Sequence, residues 1–357
     1  MNFDYNEEQQ LLADSVRRYL AKGYDFETRK KIVAGDGWSA AAWAQFAQMG
    51  LMGLPVGAEH DGFGGGAVDL MGVMEAFGDA LVVEPYVPLV LATRLIERGG
   101  SAAQKSALLP AVVEGRAKLA LAHTELGARY SLDAVRVRAA GNKLSGEKSA
   151  VIGAPVADRI VVSARSDAGI GLYLVERRAA EVKPYRTVDE RLAGDVLLRD
   201  TPAEPIAGGL AALEAAIDFG TALLCAEAVG AMQFACDTTL EYLKTRKQFG
   251  VPIGTFQALQ HRMVDMVISL EQARSMACLA ASKADAERDA RERARAVSAA
   301  KIKIADAARH VSQEAVQLHG GMGMSEELKV SHTFRRLTLL AREHGDADHH
   351  LARLAAL

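Results

Sequence analysis

The chain has 357 residues, half of them hydrophobic, enough to bury a large core and to divide into two or three structural units. Its 42 Lys and Arg stand against 45 Asp and Glu, so it carries no long-range field for nucleic acid or an anionic membrane, and neither partner is expected. Three cysteines, Cys225, Cys236 and Cys278, lie in apolar helical context, which predicts buried thiols in a reducing cytoplasm rather than a disulfide or metal framework.

The N-terminus opens with Asn2, Asp4, Glu7 and Glu8, without the basic region and apolar core of an export signal. No apolar run is expected to reach the ~18 residues of a membrane span. From Asn6, a candidate N-cap, Leu11, Leu12, Val16, Tyr19 and Leu20 recur at helical spacing, and similar patterns cover residues 40–49 and 68–77. Residues 1–118 are therefore predicted to form an α-helical domain.

The texture changes over residues 119–208. Val135-Arg136-Val137-Arg138, Arg159-Ile160-Val161-Val162-Ser163 and Leu172-Tyr173-Leu174-Val175 are short, β-branched and bounded by Gly, Asp or Pro, as strands of a small β domain are. Residues 209–357 return to long helices rich in Ala, Leu and Met, interrupted near residues 250–255 and by the charged stretch 283–295, which suits a solvated helix face or a turn between helices. The order helix, sheet, helix predicts an α+β, mainly α protein and argues against a doubly wound fold, which alternates strands and helices throughout.

Gly62-Phe63-Gly64-Gly65-Gly66-Ala67 matches the dinucleotide fingerprint letter by letter. Its context does not, because Leu51-Met52-Gly53-Leu54-Pro55-Val56 places a glycine and a proline where the incoming strand should run unbroken. A glycine loop is the expectation.

Arg246, within Arg246-Lys247-Gln248-Phe249-Gly250, follows an apolar helix. Its guanidinium suits either a pyrophosphate, through paired hydrogen bonds, or solvent at a helix C-terminus. Gln257 and Gln317 suit either an adenine or ribose edge or ordinary capping. Gly320, Gly321 and Gly323 permit close backbone approach to a ligand and equally suit a C-cap. Adjacent His349 and His350 project in different directions on a helix, so no metal is predicted.

Together these motifs resemble the acyl-CoA dehydrogenase family, flavoproteins that remove two hydrogens across the α–β bond of an acyl-CoA thioester. The resemblance covers nearly the whole chain. It includes the 51–56 and Gly62-Phe63-Gly64 segments, residues 119–127 with His123-Thr124-Glu125, Gly146-Glu147-Lys148, the arginine motif with Phe256-Gln257, and Gln317-Leu318-His319-Gly320-Gly321-Met322-Gly323. Within the family the chain is most similar to the small subunit of pimeloyl-CoA dehydrogenase.

The resemblance implies an N-terminal helical domain (1–118), a middle β-barrel (119–208) and a C-terminal four-helix bundle (209–357). It implies FAD as cofactor, an acyl-CoA substrate, electron-transfer flavoprotein or a similar acceptor, and a place in fatty acid metabolism and β-oxidation. Arg246, Gln248 and Phe249 resemble the residues that reach across a subunit interface to the FAD pyrophosphate and adenosine. Gln257, Gln317, Gly320 and Gly321 resemble the remaining adenosine contacts, and Thr124 the residue that meets the flavin ring. A shared cofactor implies a homo- or hetero-oligomer, a dimer or tetramer, which can include a larger acyl-CoA dehydrogenase subunit.

The sequence also departs from the pattern. The family's glutamate base, in its two usual registers, falls here on His344 within Glu343-His344-Gly345-Asp346 and near Gly220. The base is then Glu343, His344 or Asp346 after a small shift, or it belongs to a partner chain, with Asp346 left to a structural task. Ala150 and Ile152 stand where an aromatic and a threonine often flank the flavin, Leu126 replaces a proline, and Tyr130 replaces a small hydroxyl residue. Three functions remain open: a catalytic dehydrogenase, a non-catalytic subunit that completes a partner's FAD site, and a flavin oxidase.

Overall fold

The computed structural model describes residues 5–285 and 289–357. Six helices come first: α1 (Glu7–Gly23), α2 (Phe26–Ala34), α3 (Ala40–Gln48), α4 (Ala67–Ala80), α5 (Tyr86–Gly99) and α6 (Ala102–Val113). Eight strands follow: β1 (Leu119–Ala122), β2 (Arg138–Ala140), β3 (Lys143–Ile152), β4 (Arg159–Ser166), β5 (Gly169–Glu176), β6 (Glu181–Arg186), β7 (Leu192–Pro202) and β8 (Glu204–Ile206). The last third holds α7 (Gly209–Thr245), the short strands β9 (Lys247–Gln248) and β10 (Val251–Pro252), α8 (Gln257–Ala284), α9 (Ala290–His319), α10 (Lys329–Leu340) and α11 (Ala347–Ala355).

Local signals explain the ends. Asn6 closes a reciprocal capping box with Gln9 at the start of α1, and Ser101 does the same with Gln104 for α6. Along α1 the apolar stripe buries Val16 and Leu20, while Leu11 faces solvent. The charged stretch forms the end of α8, the start of α9 and their connection, except for residues 286–288, which lie outside the described residues.

The chain forms two compact units. One comprises Ala67–Val82, Thr221–Leu357 and the chain up to Arg29; the other comprises Lys30–Gly66 and Val83–Gly220. In the first, α4 lies against α7 with backbones nearly touching. A Cβ on Gly78 would sit 1.9 Å from the Glu227 carbonyl oxygen, and one on Gly230 would sit 1.9 Å from that of Glu75.

The middle of α7 is buried continuously, including Leu223, Leu224, Cys225, Val229 and Met232. This corrects one expectation from sequence: by length and composition α7 is long and apolar enough to cross a membrane. Its apolarity serves the interior, since 67% of its most apolar window is buried within the protein, as in a core helix that is hydrophobic all round.

The second unit is built on the sheet, ordered β6-β7-β3-β2-β4-β5-β8, with β1 pairing in parallel with β4. All four residues of β1 are buried, as suits a strand covered on both faces. Val137, Leu144, Ile160, Val162, Val175, Val196 and Leu198 form the core between the faces.

A second correction concerns residues 135–137, expected as a strand; β2 begins only at Arg138. The amides of Arg136 and Val137 donate to the Glu125 carboxylate at 2.7 and 3.2 Å, so a side chain takes the place of a strand partner. The glycine run before α4 follows turns rather than a strand. The first amide of that helix, Ala67 N, donates to Asp285 Oδ2 at 2.8 Å, so a carboxylate occupies the position a phosphate takes in a dinucleotide site.

Candidate functional site

In the unit that holds the long C-terminal helices, α7 ends at Thr245 and delivers Arg246 to the surface. The Arg246 amide donates to Tyr242 O at 2.8 Å, and its carbonyl accepts from Ile253 N at 2.9 Å. Between these anchors β9 and β10 form a hairpin whose two-residue turn is Phe249-Gly250, with φ of 55° and 83°. Both values are positive, as the twist of a two-residue hairpin demands, but Phe249 adopts the left-handed region at a steric cost that glycine avoids. Phe249 is 91% exposed and its ring meets Phe256 edge-on, centroid to centroid 6.1 Å. A strained, solvent-facing aromatic is a feature that functional surfaces retain.

Gln257 opens α8 at its positive end, where no side chain caps the helix. Gln317 lies on the last turn of α9, and Gly320 ends that helix with φ 63° and ψ −144°, a backbone conformation essentially restricted to glycine. Gly321 is different. Its φ is ordinary and a Cβ there would meet nothing within 4 Å, so nothing in this chain requires glycine at that position.

Long-range packing brings the two motifs together. The Tyr242 ring stacks on His319 with centroids 4.4 Å apart and planes 25° from parallel. Arg262 and Glu314 join α8 to α9 through two hydrogen bonds of 2.5 and 3.0 Å. The side chains of Arg246, Gln257 and Gln317 make no hydrogen bond or ion pair among the described residues, whereas Gln248 Nε2 donates to Lys247 O at 2.9 Å. A free guanidinium and two free amides beside a glycine turn with open space fit a ligand bearing phosphate and a base.

The expected base residues lie on the turn between α10 and α11 in the same unit. His344 has φ 59°, and its Nδ1 stands 3.5 Å from Thr221 Oγ1. Thr221 directly follows Gly220, so the residue beside the second family register meets the first across 123 residues of sequence. The Asp346 carboxylate caps α11 by accepting from His349 N at 2.9 Å. Glu343 is half-buried and lends negative charge to the buried Lys301, whose ammonium donates to Leu340 O.

Beneath the turn, His350 donates from Nε2 to His344 O at 3.0 Å, while its Nδ1 meets Ser298 Oγ at 3.2 Å. Burial, reinforced by the Lys301 charge, pushes the His350 imidazole down to about 3. With both ring nitrogens engaged, His350 is a brace of the loop. The sequence offered only the doublet His349-His350, with no sign of this role.

In the sheet unit, Thr124 leaves the end of β1 and its carbonyl accepts from Ser149 N at 2.9 Å. Glu125 and Lys148 form a buried ion pair beside it, which sequence inspection treated only as motif letters. Ala150 sits on a bulge of β3 at φ 54°, its amide donating to Asp195 Oδ1 at 3.1 Å. Leu126 is exposed and Tyr130 half-buried.

Helices, a mixed sheet and long helices in that order, with a cation and amides at helix ends, are the layered architecture that the sequence resemblance implies. Family models agree. The one described as "Acyl-CoA dehydrogenase, N-terminal domain" matches residues 6–116, and "Acyl-CoA dehydrogenase, C-terminal domain" matches residues 207–356. "Acyl-CoA dehydrogenase IpdE2" of Mycobacterium tuberculosis is 30% identical over 339 residues, 92% of this chain and 91% of that protein.

Among solved structures, "Tcur3481-Tcur3483 steroid ACAD G363A variant" aligns with a TM-score of 0.89 at 28% identity, over 98% of this chain and 97% of that one. "PigA with FAD and proline" aligns with a TM-score of 0.89 at 25% identity, over 100% and 98% of the two chains. The chain belongs to the acyl-CoA dehydrogenase family, FAD-dependent oxidoreductases that act on CH–CH bonds.

Proposed function

We propose that this chain is the smaller subunit of a heteromeric acyl-CoA dehydrogenase, of the pimeloyl-CoA dehydrogenase small-subunit type, and that its larger partner supplies the base. One observation carries the reading. The two positions at which the family keeps its glutamate fall here on His344 and near Gly220, neither of them a carboxylate, and His344 Nδ1 stands 3.5 Å from Oγ1 of Thr221, the residue after Gly220. Of the two neighbouring carboxylates, Asp346 is committed to a helix cap and Glu343 lends its charge to the buried Lys301.

A thioester α-proton is too weakly acidic to leave unaided, so a positioned base must remove it while donors stabilise the enolate-like transition state. FAD, when bound, accepts the hydride from the β-carbon. This chain's contribution is grip and orientation. Arg246, with Gln248, Phe249, Gln257, Gln317, Gly320 and Gly321, would hold the pyrophosphate and adenosine across a subunit interface, and Thr124 would orient the flavin.

The pairing named in Tcur3481-Tcur3483 supports a heteromer, and its description as a steroid ACAD makes a ring-bearing acyl group the first substrate to try. Electron-transfer flavoprotein or a similar carrier would take the electrons. We take 1–118, 119–208 and 209–357 as the domains, following the changes of texture, and the cytoplasm as the compartment, where three free thiols stay reduced.

A second reading has a specific observation behind it: the half-buried His344 imidazole is held by a braced backbone, as a base should be. The experiment is to titrate the chain, alone and in its native assembly, with acyl-CoA thioesters under an artificial electron acceptor. Turnover in the assembly that survives His344→Gln supports a partner's base. Flavin bleaching by this chain alone, abolished by His344→Gln, supports the second reading instead.

A further inference from the structure

We infer that the Tyr242–His319 ring stack is the positioning device of the cofactor site, joining the Arg246 hairpin and the Gly320 turn into one nucleotide-holding surface. The inference rests on the FAD-gripping role proposed for Arg246 and Gln317.

Tyr242 O accepts the Arg246 amide at 2.8 Å, so the tyrosine and the arginine belong to one closed turn. On the other side, the amide of Gly320 donates to Gln317 O, and a Cβ on Gly323 would lie 2.5 Å from Val316 O. The glycine turn is thus folded tightly back on the helix end that carries His319. Each motif is rigid within itself, and the ring stack joins them.

His319 is built for a fixed platform. It is buried, and its Nδ1 donates to Ala315 O at 2.8 Å, which sets both tautomer and ring orientation. Burial lowers its basicity despite that hydrogen bond, so the ring stays a neutral, flat surface at neutral pH. Tyr242 covers it at 4.4 Å, a separation at which aromatic pairs contribute beyond the area they bury. The Arg262–Glu314 pair ties the helices behind the two motifs, and the stack fixes their ends against each other, so without it a ligand held by both would have to order those ends on binding.

The test uses the native assembly and follows FAD binding by quenching of flavin fluorescence. Tyr242→Leu keeps an apolar side chain but removes the ring, and should weaken FAD binding about 3- to 10-fold, the equivalent of one aromatic stack. Tyr242→Phe should bind as the parent does. His319→Leu should match Tyr242→Leu, and the double variant should be no weaker than either, because both remove one interaction. The FAD concentration for half-maximal activity should rise in Tyr242→Leu, with activity recovering as FAD is raised.

Arg246→Ala separates the two layers of the argument. If Arg246→Ala loses FAD while Tyr242→Leu and His319→Leu retain parental affinity, the positioning role is overturned and the cofactor reading stands. If Arg246→Ala also retains FAD, the cofactor reading itself fails. Should Tyr242→Leu not assemble, His319→Leu against Tyr242→Phe gives the same comparison.

Discussion

Lys148 Nζ lies 2.7 Å from Glu125 Oε1, and both side chains are shut away from solvent. The ammonium also donates to Ser163 Oγ at 2.9 Å, and the carboxylate accepts from the amides of Arg136 and Val137. One buried pair therefore closes the loop that follows Thr124 and fastens it to β3.

Burial by itself would raise the Glu125 carboxyl, but the Lys148 charge and the two amides outweigh it and hold the group below the usual carboxylate range. Glu125→Gln should cost about 3–5 kcal/mol in chemical denaturation, because it leaves a buried ammonium without its counter-charge. Combining Glu125→Gln with Lys148→Met should recover much of that loss, because the Gln side-chain carbonyl still accepts from the amides while the unpaired ammonium is gone. A Glu125→Gln variant as stable as the parent would show that the loop is held by other means.

His350 gives the protein a defined weakness to acid. Its folded pKa of about 3 lies below the ordinary histidine value, so the unfolded chain binds a proton that the folded chain refuses. The stabilisation is full above the unfolded pKa, ~6.5, and is lost at up to about 1.4 kcal/mol per pH unit as pH falls toward 3. Glu125 adds a loss at still lower pH, since its depressed carboxyl stabilises the fold only while ionised. Denaturation midpoints measured from pH 7 to pH 4.5 should fall steeply in the parent and less steeply in His350→Phe, whatever that variant's absolute stability.

Two glycines should respond in opposite ways to the same substitution. Gly230→Ala drives a methyl into the Glu75 carbonyl and should separate α4 from α7, at a cost of about 3 kcal/mol or more. Gly321→Ala meets open space at an ordinary φ and should leave the melting temperature unchanged or slightly higher, by about 0.4–1 kcal/mol of stability. The same Gly321→Ala chain should retain less FAD in the native assembly if the cofactor lies against that backbone. A variant that keeps both its stability and its FAD removes Gly321 from the site.

Much of the molecule was legible from local signals. The Asn6 cap, the helical spacing at residues 11–20, 40–49 and 68–77, the β-branched runs at Arg159 and Leu172, and the return to long helices in the last third each depend on interactions within a turn or along one strand. Such interactions are written in neighbouring residues. The family motifs were legible for the same reason, as were the open options at Arg246, Gln257 and Gln317.

What the sequence determined by itself is the order of elements and the inventory of chemistry each carries. Tertiary structure alone decided which letters meet: Glu125 with Lys148 and the amides of residues 136 and 137, His319 with Tyr242, and His344 with Thr221, a pair 123 residues apart. The physical reason is that buried charge pairing and ring stacking are selected by chain closure and by exclusion of water. A side chain's desolvation has no value until the rest of the fold is in place.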